Sequence, residues 1–327
     1  MSWLVWRQHR GELLFVSGGV VLVTAFLAAV HALLGQSYAE LGVGACDSTT
    51  TETCRNALNS LLLNYTWLSL VVYALLLTPV LLGMFVAAPL VAREFEAGTF
   101  RFAWMQSVTR SQWFWAKVLA IATVSALATA GVTAAVTWSL GPLVHVDELM
   151  TLNFLIPMTF PLFDVSGTAL VATTLLAIAA GTLFGALTKR TVLAMVLTLV
   201  VFAGVRVPMN SYVRPNLLPP LTLTAPISVN NVLQLAPLGS WLRGSGFIDA
   251  QGNRYELLAM VAGPCTHTAS DPAAFASCVD ALGLRSYVVY EPPDRFWLRQ
   301  AIESGAYLTL AILLFLGAWW QVRYRTV

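Results

Sequence analysis

The chain alternates long apolar runs with short polar connectors. Six runs are long enough to cross a bilayer as helices, which takes about 17 to 25 residues: Leu13 to Leu34, Trp67 to Val91, Val118 to Leu140, Thr168 to Leu187, Val192 to Val207 and Gly305 to Gln321. The fifth lies near the short end of that range. A further apolar stretch, Leu152 to Phe163, is interrupted by Pro157 and Pro161. It is expected at the outer interface as a re-entrant or surface segment, because proline removes a helical donor. The first run is longer than the apolar core of a cleavable leader, about 7 to 15 residues, so it is expected to be a retained span.

Composition agrees with this pattern. The chain is 57% hydrophobic and 10% charged, far from the roughly 25% charged residues of globular domains. The net charge of +2 is small and scattered, which excludes the clustered basic surface that nucleic acid requires. In the short loops and at the termini, Lys and Arg gather on one side of the predicted topology: Arg7 and Arg10, then Arg93, Arg101, Arg110 and Lys117, then Lys189 and Arg190, then Arg323 and Arg325. The long segment Pro208 to Glu303 carries several arginines, but long loops translocate largely regardless of charge. The first opposite loop sets Arg55 against Glu40, Asp47 and Glu52, and the third carries Asp147, Glu148 and Asp164. The positive-inside rule therefore predicts both termini in the cytoplasm.

The cysteines fall on the other side. Cys46 and Cys54 share the first outer loop, and Cys265 and Cys278 share the large one. Local pairing is the simplest of the three connectivities, free buried thiols are the alternative, and neither spacing suggests a metal site.

Residues 1–12 carry Trp3, Trp6, Arg7 and Arg10, suited to a short interfacial helix on the inner leaflet. Residues 1–207 thus hold this helix and five spans, 208–293 form an outer lobe, and 294–327 hold an interfacial helix, the sixth span and a tail. The segment from Pro208 to Pro293 contains ten of the fifteen prolines, which predicts an irregular lobe without long helices. Within it, Gly246 to Ile248, Asp249 to Gly252 and Arg254 to Glu256 predict a hairpin, Pro272 to Leu282 a short helix, and Ser286 to Tyr290 a strand. Asp294 is placed to cap a helix on which Arg295, Arg299 and Glu303 recur every four residues, with Phe296 and Trp297 as a girdle.

The connector after the second span has its own punctuation. Gly98 breaks a helix, Thr99 can cap a short apolar one over Phe100 to Gln106, and Thr109 with Gln112 has the form of a capping box. Phe100, Phe102, Trp104 and Met105 are more apolar than a loop in water needs, so they call for a partner surface or for headgroups.

No phosphate-binding glycine loop occurs, and no His-Glu-x-x-His motif or paired carboxylates lie in a span. His31 is expected to pack at the outer interface. The spans carry almost no ionisable residues, so no ion relay is visible and energy must come from elsewhere.

The pattern Arg93-Glu94, Glu96, Gly98-Thr99, Thr109-Arg110 and Lys117 resembles the cytoplasmic link of permease subunits in type-2 ABC exporters of bacteria. The segment Pro292 to Glu303 resembles what precedes the last span in actinobacterial-looking members. The resemblance implies an all-α polytopic membrane protein of six transmembrane helices, with both termini inside and an irregular disulfide-containing extracellular lobe between the fifth and sixth. It implies a subunit that is not itself an enzyme, binds no cofactor, and is driven by MgATP on separate ABC ATPase subunits. Arg93, Glu94, Glu96, Gly98, Thr99, Phe100, Arg101, Phe102, Trp104, Met105, Gln106, Arg110, Lys189 and Arg190 would form the ATPase-coupling surface. A second permease, identical or homologous, would complete a path lined by Tyr73, Leu77, Thr78, Met84 and Phe85 and by Leu197, Thr198, Val201 and Phe202. The implied function is export of a hydrophobic or amphipathic compound across the bacterial plasma membrane. The alternatives are export of a lipid or modified peptide, including self-immunity, and a non-transport sensor or scaffold.

Overall fold

A computed structural model of the chain describes residues 2–46, 52–99, 109–150, 156–226, 236–256, 263–268 and 271–325. Among them, six helical segments are long and apolar enough to span a membrane: Val16–Glu40, Leu68–Glu96, Arg110–Val146, Ala169–Thr188, Thr191–Asn216 and Pro293–Arg325. All six predicted spans are present, and most run beyond their apolar limits. The N-terminal segment and the first span form one continuous helix, Ser2–Glu40. The segment from Phe296 likewise runs into the sixth span as one helix, Phe296–Trp320.

The fourth span is the hub of the bundle, 72% buried over its most apolar window against 17% for the first and the fifth. Lipid removes the hydrophobic drive between helices, so close packing must hold them together, and small residues allow it. Ala177, Gly181 and Gly185 recur every four residues on the fourth span and face Gly83, Ala88 and Ala92 of the second. A Cβ at Gly181 would stand 2.5 Å from the Gly83 carbonyl oxygen. The second span bends to follow this seam. It is built from the helices Leu68–Leu75, Thr78–Leu82 and Ala88–Glu96, with a π-helical turn at Gly83–Ala87 and prolines at 79 and 89.

Hydroxyls supply further ties between spans. Ser139 of the third span donates to the Leu27 carbonyl of the first at 2.8 Å. Beside it His31 stacks on Trp138, with ring centroids 3.9 Å apart. Leu27, Leu34, Val136 and Leu143 belong to the apolar core around this contact. The first loop contains a helix that the apolar pattern did not announce, Glu52–Tyr65, which turns Leu58, Leu61 and Leu62 inward. The Cys46–Cys54 disulfide closes this loop.

The lobe is not irregular. Its strands β1 (Leu221–Ala225), β2 (Trp241–Ile248), β3 (Arg254–Tyr255) and β4 (Arg285–Glu291) form an antiparallel sheet in the order β1-β4-β2-β3. The protein is therefore mostly helical rather than all-α. The predicted hairpin is β2 and β3, the predicted strand is β4, and the predicted helix spans Pro272–Ala281 with its N-terminus capped by Asp271. Phe247, Phe275, Val279 and Leu284 fill a small core closed by the Cys265–Cys278 disulfide. Both local pairings expected for the cysteines are present. None of the prolines of this segment lies in a strand: Pro219, Pro220, Pro226 and Pro237 sit between the elements, and Pro272 opens its helix.

Candidate functional site: connector roots, exposed spans and an apolar cavity

At the end of the bundle away from the sheet, the second span stops at Glu96 and Gly98 takes a left-handed φ of 69°. This conformation suits glycine and lets the chain turn sharply out of the helix. Eleven residues after Gly98, at Thr109, the third span begins with the predicted capping box. The Gln112 amide donates to Thr109 Oγ1 at 3.2 Å, and the Thr109 amide donates to Gln112 Oε1 at 3.3 Å. Phe100, Arg101, Phe102, Trp104, Met105 and Gln106 lie outside the described residues.

Two contacts clamp the roots of the connector. Lys117 on the third span forms an ion pair with Glu94 on the second, and it also lies over the Trp113 ring, 4.9 Å from the centroid. Next to it Phe95 meets Trp113 edge to face, with centroids 6.3 Å apart. Phe95, Trp113, Phe114 and Val322 share one core, which brings the end of the sixth span into the same knot. Trp319 Nε1 adds a hydrogen bond to Ser111 Oγ at 2.8 Å.

The link between the fourth and fifth spans joins this assembly. Glu96 accepts from the Thr191 amide at 3.2 Å and from its hydroxyl at 2.7 Å, so it caps the fifth span from the end of the second. Lys189 takes a left-handed φ of 54°, and Lys189 and Arg190 are both exposed. Arg93 and Thr99 are exposed, Arg110 is half-buried, and Glu94 and Glu96 are engaged within the chain.

The residues of the expected path divide by exposure. Tyr73, Leu77 and Phe85 are exposed on the second span. Thr78, Met84, Leu197 and Val201 are half-buried. Thr198 and Phe202 are buried: Thr198 returns its hydroxyl to the Ala194 carbonyl, and Phe202 packs with Val80, Ala177 and Met84.

Ionisable residues within the helical spans are more numerous than the apolar pattern indicated, and they gather at the lobe end. Arg214 donates from Nε to Glu303 Oε1 at 2.6 Å and from Nη1 to Asp164 Oδ2 at 3.2 Å. Arg206 pairs with Asp164 at 2.8 Å and donates to the Tyr307 hydroxyl at 2.8 Å. Arg299 donates to the Arg214 carbonyl at 2.9 Å and pairs with Glu291 of β4, which also accepts from Arg243 of β2 at 3.0 Å. This chain of charges ties the fifth and sixth spans to the sheet. Beside it Gln300 accepts from the Thr168 and Ala169 amides at 3.0 and 2.8 Å, capping the fourth span from the sixth. Arg206 lies inside a predicted span, and the four-residue spacing of Arg299 and Glu303 was the one sequence signal for this network.

Below the lobe, the third, fourth and sixth spans line a half-open cavity of about 1060 Å³. Its walls are mainly aliphatic, with Thr133, Thr137, Ser166, Thr168 and Ser304 as hydroxyls, Trp138 midway along the third span and Trp297 and Asp294 at the lobe end.

These features define a multi-pass membrane protein of six spans, its second and third spans joined through a rigidly rooted connector. Residues 17–214 match the sequence profile of the family described as ABC-2 membrane transporter related. The chain belongs to that family, as an ABC-2 type permease, the membrane component of an ABC transporter, and the membership implies association with ABC ATPase subunits. No curated protein and no solved structure matches the chain.

Proposed function

We propose that this chain is one permease of an ATP-driven exporter that moves a hydrophobic or amphipathic small molecule, drug-like or antibiotic, out of a bacterium across its plasma membrane. Two permeases, identical or homologous, form the path, and two ABC ATPase subunits bind MgATP and drive it. The connector, the 189–190 link and both termini face the cytoplasm, by the distribution of Lys and Arg, and the lobe with its disulfides faces outward.

The observation that carries this reading is the clamp at the connector roots, Glu94 with Lys117 and Phe95 against Trp113. A push on Phe100 to Gln106 is passed to the second and third spans because neither root can swing freely. Through Glu96 and Thr191 it also reaches the fifth span. Moving the permease from 1:99 to 99:1 between inward-open and outward-open states requires about 5.5 kcal/mol of differential binding. Docking of two ATPase subunits on two such connectors supplies the surface for it. The exposed face of Tyr73, Leu77 and Phe85 is then available to the second permease and the cargo.

The test is co-expression of the permease with its ATPase, followed by purification of the complex and assays of ATP hydrolysis and export. Arg93→Glu and Arg101→Glu should leave expression intact while export falls at least tenfold and ATP hydrolysis no longer responds to cargo. Wild-type export in both variants would remove the connector from the mechanism.

A further inference from the structure

The cavity below the lobe lies apart from the faces of the second and fifth spans assigned to the path, and it has features that simple packing does not explain. It follows the third span from Ala130 to Val144, a distance of about 20 Å at the helical rise, the length scale of an alkyl tail. Its aliphatic walls include Ala134, Leu140, Val171 and Leu308. Gly141 also lines it, and a side chain there would meet no atom within 4 Å.

Its polar groups are few. Thr129 and Thr137 of the third span return their hydroxyls to the carbonyls one turn back, at 2.8 and 2.9 Å. Thr133, between them, lines the cavity at 8% exposure, and its hydroxyl has no partner among the described residues. A buried hydroxyl left unbonded is costly, so a water in the cavity is expected to complete it. At the lobe end Asp294 is the one charged residue of the lining, is exposed, and forms no ion pair among the described residues. Trp297, 65% exposed, stands in the same lining three residues further along the chain. An aliphatic cavity with a carboxylate and an indole at one end complements a tail that ends in a cation, because an indole face attracts quaternary ammonium.

We propose that this cavity binds an amphiphile with an alkyl tail and a cationic, ammonium-type head, the tail along Ala130, Ala134 and Leu308 and the head against Asp294 and Trp297. Two sources share this chemistry, a free cationic amphiphile and the choline headgroup of a lipid. The site needs neither the connector nor a second permease.

The experiment uses the full chain in nanodiscs of phosphatidylglycerol, whose headgroup carries no ammonium. Binding of radiolabelled dodecyltrimethylammonium is measured with empty discs subtracted, so no ATPase and no transport enter the readout. One saturable site per chain is expected. Asp294→Asn, a surface change, should weaken it roughly three- to fivefold, with Trp297→Ala similar. Gly141→Leu, which puts a bulky side chain into the open space of the cavity, should abolish it. Dodecyl sulfate, with the same tail and the opposite charge, should not compete. Repeating the titration in phosphatidylcholine discs separates the sources: weakened binding identifies a lipid headgroup as competitor, and unchanged binding identifies a free amphiphile. Absence of a saturable component, equal affinity in Asp294→Asn, or full competition by dodecyl sulfate would overturn the proposal.

Discussion

Arg214 at the end of the fifth span grips Glu303 of the sixth through two hydrogen bonds, Nε to Oε1 at 2.6 Å and Nη2 to Oε2 at 3.0 Å. Both side chains are essentially buried. A buried ion pair is weak evidence for stability in itself, but removing one partner strands the other. Arg214→Ala should therefore lower stability by about 3–5 kcal/mol, since it leaves both Glu303 and Asp164 without this guanidinium. The combined variant Arg214→Met, Glu303→Gln, in which Asp164 keeps its pairing with Arg206, should recover much of that loss. Thermal unfolding of the purified protein in detergent measures both. If the single and combined variants melt alike, charge stranding is not what the network resists.

The small-residue seam between the second and fourth spans gives a sharper test of packing. Gly181→Ala pushes a methyl group against the Gly83 carbonyl oxygen and the Ala88 amide nitrogen, at 2.5 and 2.9 Å. We expect a loss of about 1–3 kcal/mol from overpacking. Gly204→Ala on the fifth span meets nothing within 4 Å and should be neutral or slightly stabilising. Equal melting temperatures for the two variants would mean the seam is looser than described.

Glu94→Gln should leave the Lys117 ammonium, whose side chain is 4% exposed, without its carboxylate. The expected cost is about 1–3 kcal/mol. The consequence should be local, with faster proteolysis of the 98–109 connector. The exchange Glu94→Lys with Lys117→Glu should restore part of the protection given by the wild-type pair. Should the double variant be cut as fast as Glu94→Lys alone, the clamp does not work through this pairing.

The β2–β3 hairpin of the lobe should respond to acid. A hydrogen bond from the Asn253 side chain is the largest influence holding the Asp249 carboxyl below the usual carboxylate range, and the Asn253 and Gln251 amides and the Tyr255 hydroxyl act in the same direction. A lowered folded value means that the contribution of Asp249 is complete above its unfolded pKa, about 3.9. It is lost as pH falls through the folded value. Hydrogen exchange at Gln251 and Asn253 should accelerate over that acid window and, in Asp249→Ala, be fast at every pH. Acid-independent exchange in the wild type would contradict the assignment.

Much of the architecture was legible in the order of residues because its cause is local. Each predicted span appears since an apolar run of that length has one low-energy fate in a bilayer. Gly98 and the Thr109–Gln112 box mark the connector since left-handed φ and reciprocal capping are properties of a few adjacent residues. The cysteine pairs, separated by 8 and 13 residues, close short loops.

What tertiary structure alone decided depends on groups far apart in the chain. Arg206, Asn210 and Arg214 read as the end of an apolar run, yet the fifth span continues through them to Asn216. Asp164, Glu303 and Tyr307 meet their charges and donors there. The sheet escaped the proline count because proline forbids long helices without forbidding short strands between the prolines. The cavity had no linear signature at all, for Thr133 and Asp294 come from the third and sixth spans and line one space only when the fourth span sets those helices around it. Chain order thus determined which segments enter the membrane, through the one-dimensional cost of apolar and polar groups. Folding decided which polar groups are neutralised and where space is left, since both depend on distances across the bundle.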